Sequence, residues 1–312
     1  MKKHRLRKQT AAGILLASGF LIQGLAAAEL KITATIFPLY EFASAVAGDR
    51  AEVHLLLPPG ADIHAWRPKP GDLLNLSKSD LIVSVGRDLE PWVRDLAAGS
   101  TGKNLRVFEA AQGLPLIRAD HDHDGHSHGH DHGHGERVDP HVWLDLDLDI
   151  RIVEALVREL SALSPSDAGV FSSNAETYIR KLRNLDQRYV ETLSSCRQRL
   201  LVVAGHAAFG YLARRYGLEQ VSLYGLSPDA QATPKKMIEL VEFVRKRGVT
   251  AVFTETAVSG ALAETLSRET GARLLFLNPG AALTRNQIAQ GATFLTLMED
   301  NLRTLADGLD CR

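Results

Sequence analysis

Residues 200–216 read LLVVAGHAAFGYLARRY: an apolar run over Leu200–Ala204, a Gly-His turn, then helical spacing from Ala207 to Tyr216. A short continuous apolar run is the signature of a strand buried on both faces, here feeding directly into a helix. The same alternation recurs on both sides. Downstream, Val221–Tyr224 precedes a helix beginning at Pro234, and Val252–Thr254 precedes one ending near Gly271. Leu274–Leu277 then precedes a last helix over Gln287–Leu305. Upstream, Leu30–Ile36, Glu52–Leu57, Asp80–Val85 (DLIVSV) and Leu105–Phe108 read as strands, with a helix over Tyr40–Ala47. Strands alternating with helices specify an α/β fold with mostly parallel sheets, whose ligands bind beyond the carboxyl ends of the strands.

Between the two series, Ser164–Cys196 is helical in character. Ser166 is a plausible N-cap, no Gly or Pro follows Gly169, and apolar residues recur at Tyr178, Leu182, Leu185, Tyr189 and Leu193. A helix of about 28 residues is about 40 Å long, enough to join two lobes as a rigid spine. An ordinary long surface helix has the same periodicity. The expected division is an N-terminal lobe over 29–165, a linking helix over 166–196 and a C-terminal lobe over 197–312. A chain of 312 residues fits one large domain or two lobes of about 130–140 residues each.

The first 28 residues are set apart by composition. Lys2, Lys3, Arg5, Arg7 and Lys8 precede an apolar run from Ala11 to Leu25, which ends in Ala26-Ala27-Ala28. That is the anatomy of a secretory signal peptide cleaved after Ala28. The run is short, and Ser18, Gly19, Gln23 and Gly24 interrupt it, so it makes a poor permanent membrane span. No Cys lies near the cleavage point, so the expected product is exported, unanchored and, in a bacterium with two membranes, periplasmic. The whole chain has 36 basic and 37 acidic residues; without the leader the balance is 31 to 37, a formal −6. Such a surface gives no reason to expect nucleic acid and weakly favours cations.

Two cysteines are too few for a four-thiolate metal site or a disulfide-dense scaffold. Cys196 and Cys311 are expected to pair in an oxidising compartment, the alternative being two free thiols. Neither belongs to a Cys-x-x-Cys motif, which excludes that form of redox chemistry.

Twelve histidines are the unusual count, and they fall into groups. His121, His123, His126, His128, His130, His132 and His134 lie in HDHDGHSHGHDHGH, interleaved with Asp122, Asp124 and Asp131. Without an apolar residue this segment has no means of packing; it is read as a loop that gathers transition-metal ions weakly, or as a solvated insertion. His4 leaves with the leader, and His54 in EVHLLL reads as a structural strand residue. His64 in PPGADIHAW, His141 in DPHVWLD and His206 in GHAAFGYL all occupy loops of the kind that carry ligand sites. Three imidazoles from distant points suit a borderline ion such as Zn²⁺. Trp66 and Trp143, two residues after His64 and His141, read as aromatic walls or as core residues.

The stretches LLLPPGADIHAWRPKPGDLLNLSKSDLIVSVG, DPHVWLD, GHAAFGYLARRYGL, SPDAQATPKKMIEL and VFTETAVSGALAETLSRETGARLLFLNPG, with the histidine-rich insertion, span nearly the whole mature chain in order. Together they resemble the zinc- and manganese-binding subunits of ABC-type importers, the cluster A-I solute-binding proteins, and in particular their zinc branch. The resemblance implies two Rossmann-like lobes joined by one long helix, with the metal in the cleft between them. It places metal ligands on His64, His141 and His206. The fourth family position, usually Asp, falls here on Asn278. An amide oxygen is a weaker ligand than a carboxylate and brings no charge. The expectation is therefore three histidines completed by water or Asn278, with the +2 charge largely uncompensated and Glu255 near the ligands or in an inter-lobe salt bridge. A histidine-rich donor set favours zinc over manganese.

Capture of zinc and its delivery by a monomer to an inner-membrane ABC permease is the leading expectation, with zinc as cargo and no enzymatic role. A periplasmic zinc buffer or chaperone is the second. A zinc hydrolase or lyase is the third, since three histidines with an open position also describe catalytic zinc. No His-Glu-x-x-His motif and no evident base accompany the ligands.

Overall fold

The computed structural model describes residues 30–86, 89–99, 105–118, 138–226, 233–255 and 260–312. The expected leader and the histidine-rich segment lie outside the described residues. Strands β1 (Leu30–Ala34), β2 (Ala51–Leu55), β3 (Leu81–Ser84) and β4 (Arg106–Glu109) form one parallel sheet in the order β2-β1-β3-β4. Strands β5 (Leu200–Val203), β6 (Glu219–Ser222), β7 (Ala251–Thr254) and β8 (Arg273–Phe276) form a second in the order β6-β5-β7-β8. The two sheets repeat one topology, so each has its switch point in the same place, β1/β3 in one and β5/β7 in the other.

Helices cover both faces of each sheet. In the first, α2 (Pro70–Leu76) and α3 (Trp92–Gly99) bury Leu76 and Val93 against Ile82 on one side. On the other, α1 (Phe37–Ala47) and α4 (Leu146–Leu163) pack on Ile32, Leu81 and Val83. In the second, Leu200 and Val202 face α7 (Pro234–Arg247) and α8 (Gly260–Thr270). Leu201 and Val203 face the opposite way, into the core that contains α6 (Gly210–Tyr216) and α10 (Phe294–Gly308). The period-2 alternation of a strand sends neighbouring residues into different layers. No helix among the described residues is long and apolar enough to cross a membrane.

Helix α5 (Ala168–Ser194) is the spine, and one continuous apolar core runs from the first sheet through it into the second lobe. Tyr178, Leu182, Leu185, Tyr189 and Leu193 all face inward. Polar bolts hold it at both ends. Asn174 donates to Val46 O at 3.1 Å, the Tyr189 hydroxyl to Met298 O at 2.6 Å, and Arg215 grips Asp186 with two bonds of 2.7 and 2.6 Å. A disulfide joins Cys196, just past the end of α5, to Cys311 beyond α10.

Several element readings need correction. Ser166 is not the N-cap of the spine; it lies in a single 3-10 turn, Pro165–Asp167, and the α-helix begins at Ala168. Helix α6 starts at Gly210 rather than Ala207, because the Ala207 and Ala208 amides bond to Gly225 O and His206 O in the turn. Strand β6 starts two residues earlier than its apolar residues suggest: as an edge strand it takes the polar Glu219 and Gln220. The last helix is two, α9 (Arg285–Ala289) and α10, since both Thr284 and Thr293 cap a new first turn. His54 sits on edge strand β2, half-exposed, 3.1 Å from Glu52.

Helix α4 was hidden by its sequence. LDLDLDI (Leu144–Ile150) alternates with strand period, yet the Asp145 side chain accepts the Asp147 and Leu148 amides and starts a helix. Helical spacing then carries Asp149 fully inside, and neither of its carboxylate oxygens has a partner among the described residues. Burial, with Asp145 nearby, raises its pKa well above the ordinary carboxylate range. The folded state therefore holds a proton that the unfolded chain releases near pH 4, so the cost of Asp149 grows as pH rises from there. Asp149→Ala is expected to raise the unfolding free energy by about 1–3 kcal/mol, more at pH 8 than at pH 5. Urea unfolding at the two pH values checks it; a gain independent of pH contradicts it.

Candidate metal centre

Three histidines from three separate loops meet in the crevice beyond the strand ends. His64 lies between β2 and α2, His141 precedes α4, and His206 follows β5. His141 Nε2 is 3.3 Å from His64 Nε2 and 3.2 Å from His206 Nε2. The three ligand-capable nitrogens all lie within 4.8 Å of one another. An ion bound tetrahedrally to imidazoles at about 2.0–2.1 Å has ligand–ligand edges of about 3.3 Å. Two of the three edges thus have the required length.

Two buried carboxylates aim the rings. Asp139 Oδ1 lies 2.7 Å from His141 Nδ1, and Glu255 Oε2 lies 2.6 Å from His206 Nδ1. A carboxylate accepts there, so each Nδ1 carries the proton and each Nε2 turns its lone pair to the centre. The expectation of an uncompensated +2 is corrected by this arrangement: the negative charge stands behind the imidazoles instead of at a fourth ligand. Backbone space is tailored to both groups. A β-carbon at Gly205 would collide with Glu255 Oε1, and one at Gly210 would lie 2.8 Å from Asp139 Oδ2. His64 has no such partner among the described residues. Burial first, then His141, His206 and Arg67, lower its pKa to about 3. Its ring therefore stays unprotonated through the neutral and mildly acidic range.

A family model described as the periplasmic zinc-uptake complex component A, ZnuA, matches residues 32–308. The chain belongs to this zinc-uptake family. It is a family of transport components rather than of enzymes. Zinc-binding lipoprotein AdcA of Streptococcus pneumoniae is 37% identical over 282 residues, covering 90% of this chain and 56% of that protein. The chain therefore spans about half the length of that relative. The high-affinity zinc uptake system protein ZnuA of Bacillus subtilis is 34% identical, with 90% and 88% covered. The crystal structure of the Zn(II)-bound ZnuA-like domain of S. pneumoniae AdcA superposes with a TM-score of 0.77 at 36% identity, covering 90% of this chain and 99% of that one. The metal-dependent lipoprotein YcdH of B. subtilis gives a TM-score of 0.76 at 30% identity, covering 90% and 99%. The two parallel-sheet lobes and long helix described above are the fold of these solute-binding proteins.

Within that family frame, Asn278 is tied into its own loop. Its Oδ1 accepts the Gly280 amide at 2.8 Å, and its backbone N–H and C=O pair with the Asn301 side chain on α10, each at 2.8 Å. Trp143 is buried; its indole N–H donates to Pro279 O at 2.7 Å and its ring meets His141 edge-on at 5.3 Å. Asp139 is the residue the sequence reading passed over. Its signal was present: DIHAW (62–66) and DPHVW (139–143) share an Asp-x-His-x-Trp pattern. In both, the Asp side chain accepts the His amide, at 2.8 and 2.9 Å, a turn that Asp forms locally.

The carboxylate on His206 carries a specific expectation. Glu255→Gln is expected to weaken zinc binding about 10–100-fold, because the amide supplies neither the charge nor a forced acceptor. Chelator competition measures this; an unchanged Kd would exclude an orienting role for Glu255.

Proposed function

We propose that this protein captures Zn²⁺ outside the cytoplasm through His64, His141 and His206 and delivers it to an ABC permease in the inner membrane. The observation that carries the reading is the convergence of three histidines with two Nε2–Nε2 edges at tetrahedral spacing, two of the rings backed by buried carboxylates. Water is the favoured fourth ligand, because Asn278 is tied into its own loop through its Oδ1 to Gly280 and its backbone to Asn301. The mature chain is periplasmic, unanchored and monomeric after loss of residues 1–28. Lobes 29–165 and 197–312 supply the ligands about the linking helix, and the histidines of 121–134 act as a weak auxiliary store.

Reversible coordination suits this site better than catalysis. Each carboxylate beside the ligands holds a ring nitrogen, which is the orienting role of an outer partner to a metal ligand. Two ligands are also fixed to each other across the lobes. The Tyr211 hydroxyl donates to Asp139 O at 2.9 Å and accepts from Ile117 N at 3.0 Å, tying α6 to the loop that carries His141. His64 stands on a separate loop, which leaves it to close over an ion that the other two have taken.

Zinc titration in competition with a chelator tests the reading, using the protein with residues 121–134 removed. One tight site is expected. A triple alanine variant at His64, His141 and His206 that still bound zinc tightly would overturn the assignment.

A further inference from the structure

The repeated Asp-x-His-x-Trp pattern gives each of two histidines a tryptophan two residues on, and the two tryptophans are anchored differently. Trp143 is locked by its bond to Pro279 O. Trp66 is half-buried, and its ring meets Trp92 edge-on, with centroids 6.3 Å apart and planes at 70°. Trp92 opens α3 and packs with the small cluster of Leu76, Ile82 and Val93. The segment leading to it is rooted in the sheet: buried Glu90 accepts the Thr35 hydroxyl at 2.5 Å and the Gly86 and Val85 amides at 3.0 and 3.3 Å. Trp92 is thus a fixed point at the switch between β1 and β3.

His64 needs such a point. No carboxylate among the described residues orients its ring, unlike His141 and His206. Its turn is closed by Asp62 on the His64 amide and by Arg67 on the His64 and Trp66 carbonyls, at 2.8, 2.9 and 2.7 Å. Those bonds shape the turn without fixing it to the protein. The arm is attached at its start by the Gly60 amide, which donates to Leu283 O at 2.9 Å, and around His64 by the flanking side chains, buried Ile63 on one side and Trp66 on the other.

We infer that Trp66 and Trp92 form an aromatic latch that holds the His64 arm over the His141–His206 pair and sets how fast a bound ion leaves. The inference rests on the three-histidine reading of the site. Trp92 acts through Trp66 and is a positioning residue. Opening the arm separates the two indoles, so the contact opposes release, whereas capture begins at the pre-aligned pair. Variants of one interface differ mainly in dissociation rate, and the latch follows that rule.

The test is a chelator chase from the zinc-loaded full chain, followed by stopped flow, with Trp66→Ala, Trp92→Ala, the double variant and Trp92→Phe. Each single alanine variant is expected to release zinc about tenfold faster. The double variant should be no faster than either, because both remove one contact, and Trp92→Phe should restore most of the wild-type rate. Association rates should stay unchanged; the apo Tm of Trp92→Ala should fall, because that variant also loses packing against Leu76, Ile82 and Val93. Wild-type release from Trp92→Ala, or multiplied effects in the double variant, would each overturn the latch. His206→Ala in the same assay separates the two readings: if it still binds tightly, the three-histidine site is wrong. If it loses zinc while Trp92→Ala behaves as wild type, only the latch is wrong.

Discussion

His206→Ala is expected to lower zinc affinity by more than about a hundredfold, beyond what loss of an orienting partner costs. The variant removes an Nε2 3.2 Å from that of His141, leaving two imidazoles where tetrahedral capture needs at least three fixed donors. It also strands Glu255, 5% exposed, whose Oε2 loses the His206 Nδ1 and whose Oε1 has no partner among the described residues. A buried polar group left without its partner costs about 1–3 kcal/mol, so the apo protein should lose stability as well. His141→Ala should lower affinity alike but cost less stability, because Asp139 Oδ1 loses the imidazole yet keeps the residue-141 amide at 2.9 Å. His64→Ala separates the two effects: affinity falls, but no buried carboxylate is orphaned and apo stability holds. Chelator competition and thermal unfolding of the three variants, each lacking residues 121–134, make the comparison. A wild-type Kd in His206→Ala would remove His206 from the site.

The second large effect is structural. A double variant, Cys196→Ser with Cys311→Ser, is expected to lose about 2–5 kcal/mol of stability. The bond closes a loop with a sequence separation of 115, which spans the whole second lobe. In the unfolded chain that closure removes much conformational freedom, and in the folded one it pins the end of α10 to the end of the spine. The metal centre lies at the opposite, carboxyl ends of the strands, so zinc affinity should not change. Guanidinium unfolding and zinc titration on the same samples separate the outcomes. Equal stability of the reduced and oxidised forms would refute the contribution.

The largest parts of the fold were legible because they depend on local pattern. LLVVAG and DLIVSV read as buried strands, and Tyr178, Leu182, Leu185, Tyr189 and Leu193 mark one face of a helix. The omissions and misplaced bounds lie where two local signals compete. Leu144–Ile150 alternates like a strand, but Asp145 can cap, and the capped helix won. Gln287–Leu305 reads as one helix until Thr293 is recognised as the start of another. Edge strand β6 was misplaced because an edge tolerates Glu219 and Gln220, which an apolar search rejects.

For the site, residue type and loop position singled out His64, His141 and His206, and the sequence alone determined that much: which side chains have metal-binding chemistry, and that they follow strands or precede helices in two similar halves. Distances belong to the tertiary structure. The 3.3 Å spacing joins two loops of the first lobe, 77 positions apart, and the 3.2 Å spacing joins that lobe to the second, 65 positions apart, as the two sheets are held across α5. The same holds for charge. Asn278 suggested a site short of negative charge; Glu255 was expected near the ligands or in an inter-lobe salt bridge, and only the fold pairs it with His206 and brings Asp139 to His141. Side-chain chemistry is local and travels with the residue, whereas electrostatic compensation depends on distance through the fold, and only packing decides it.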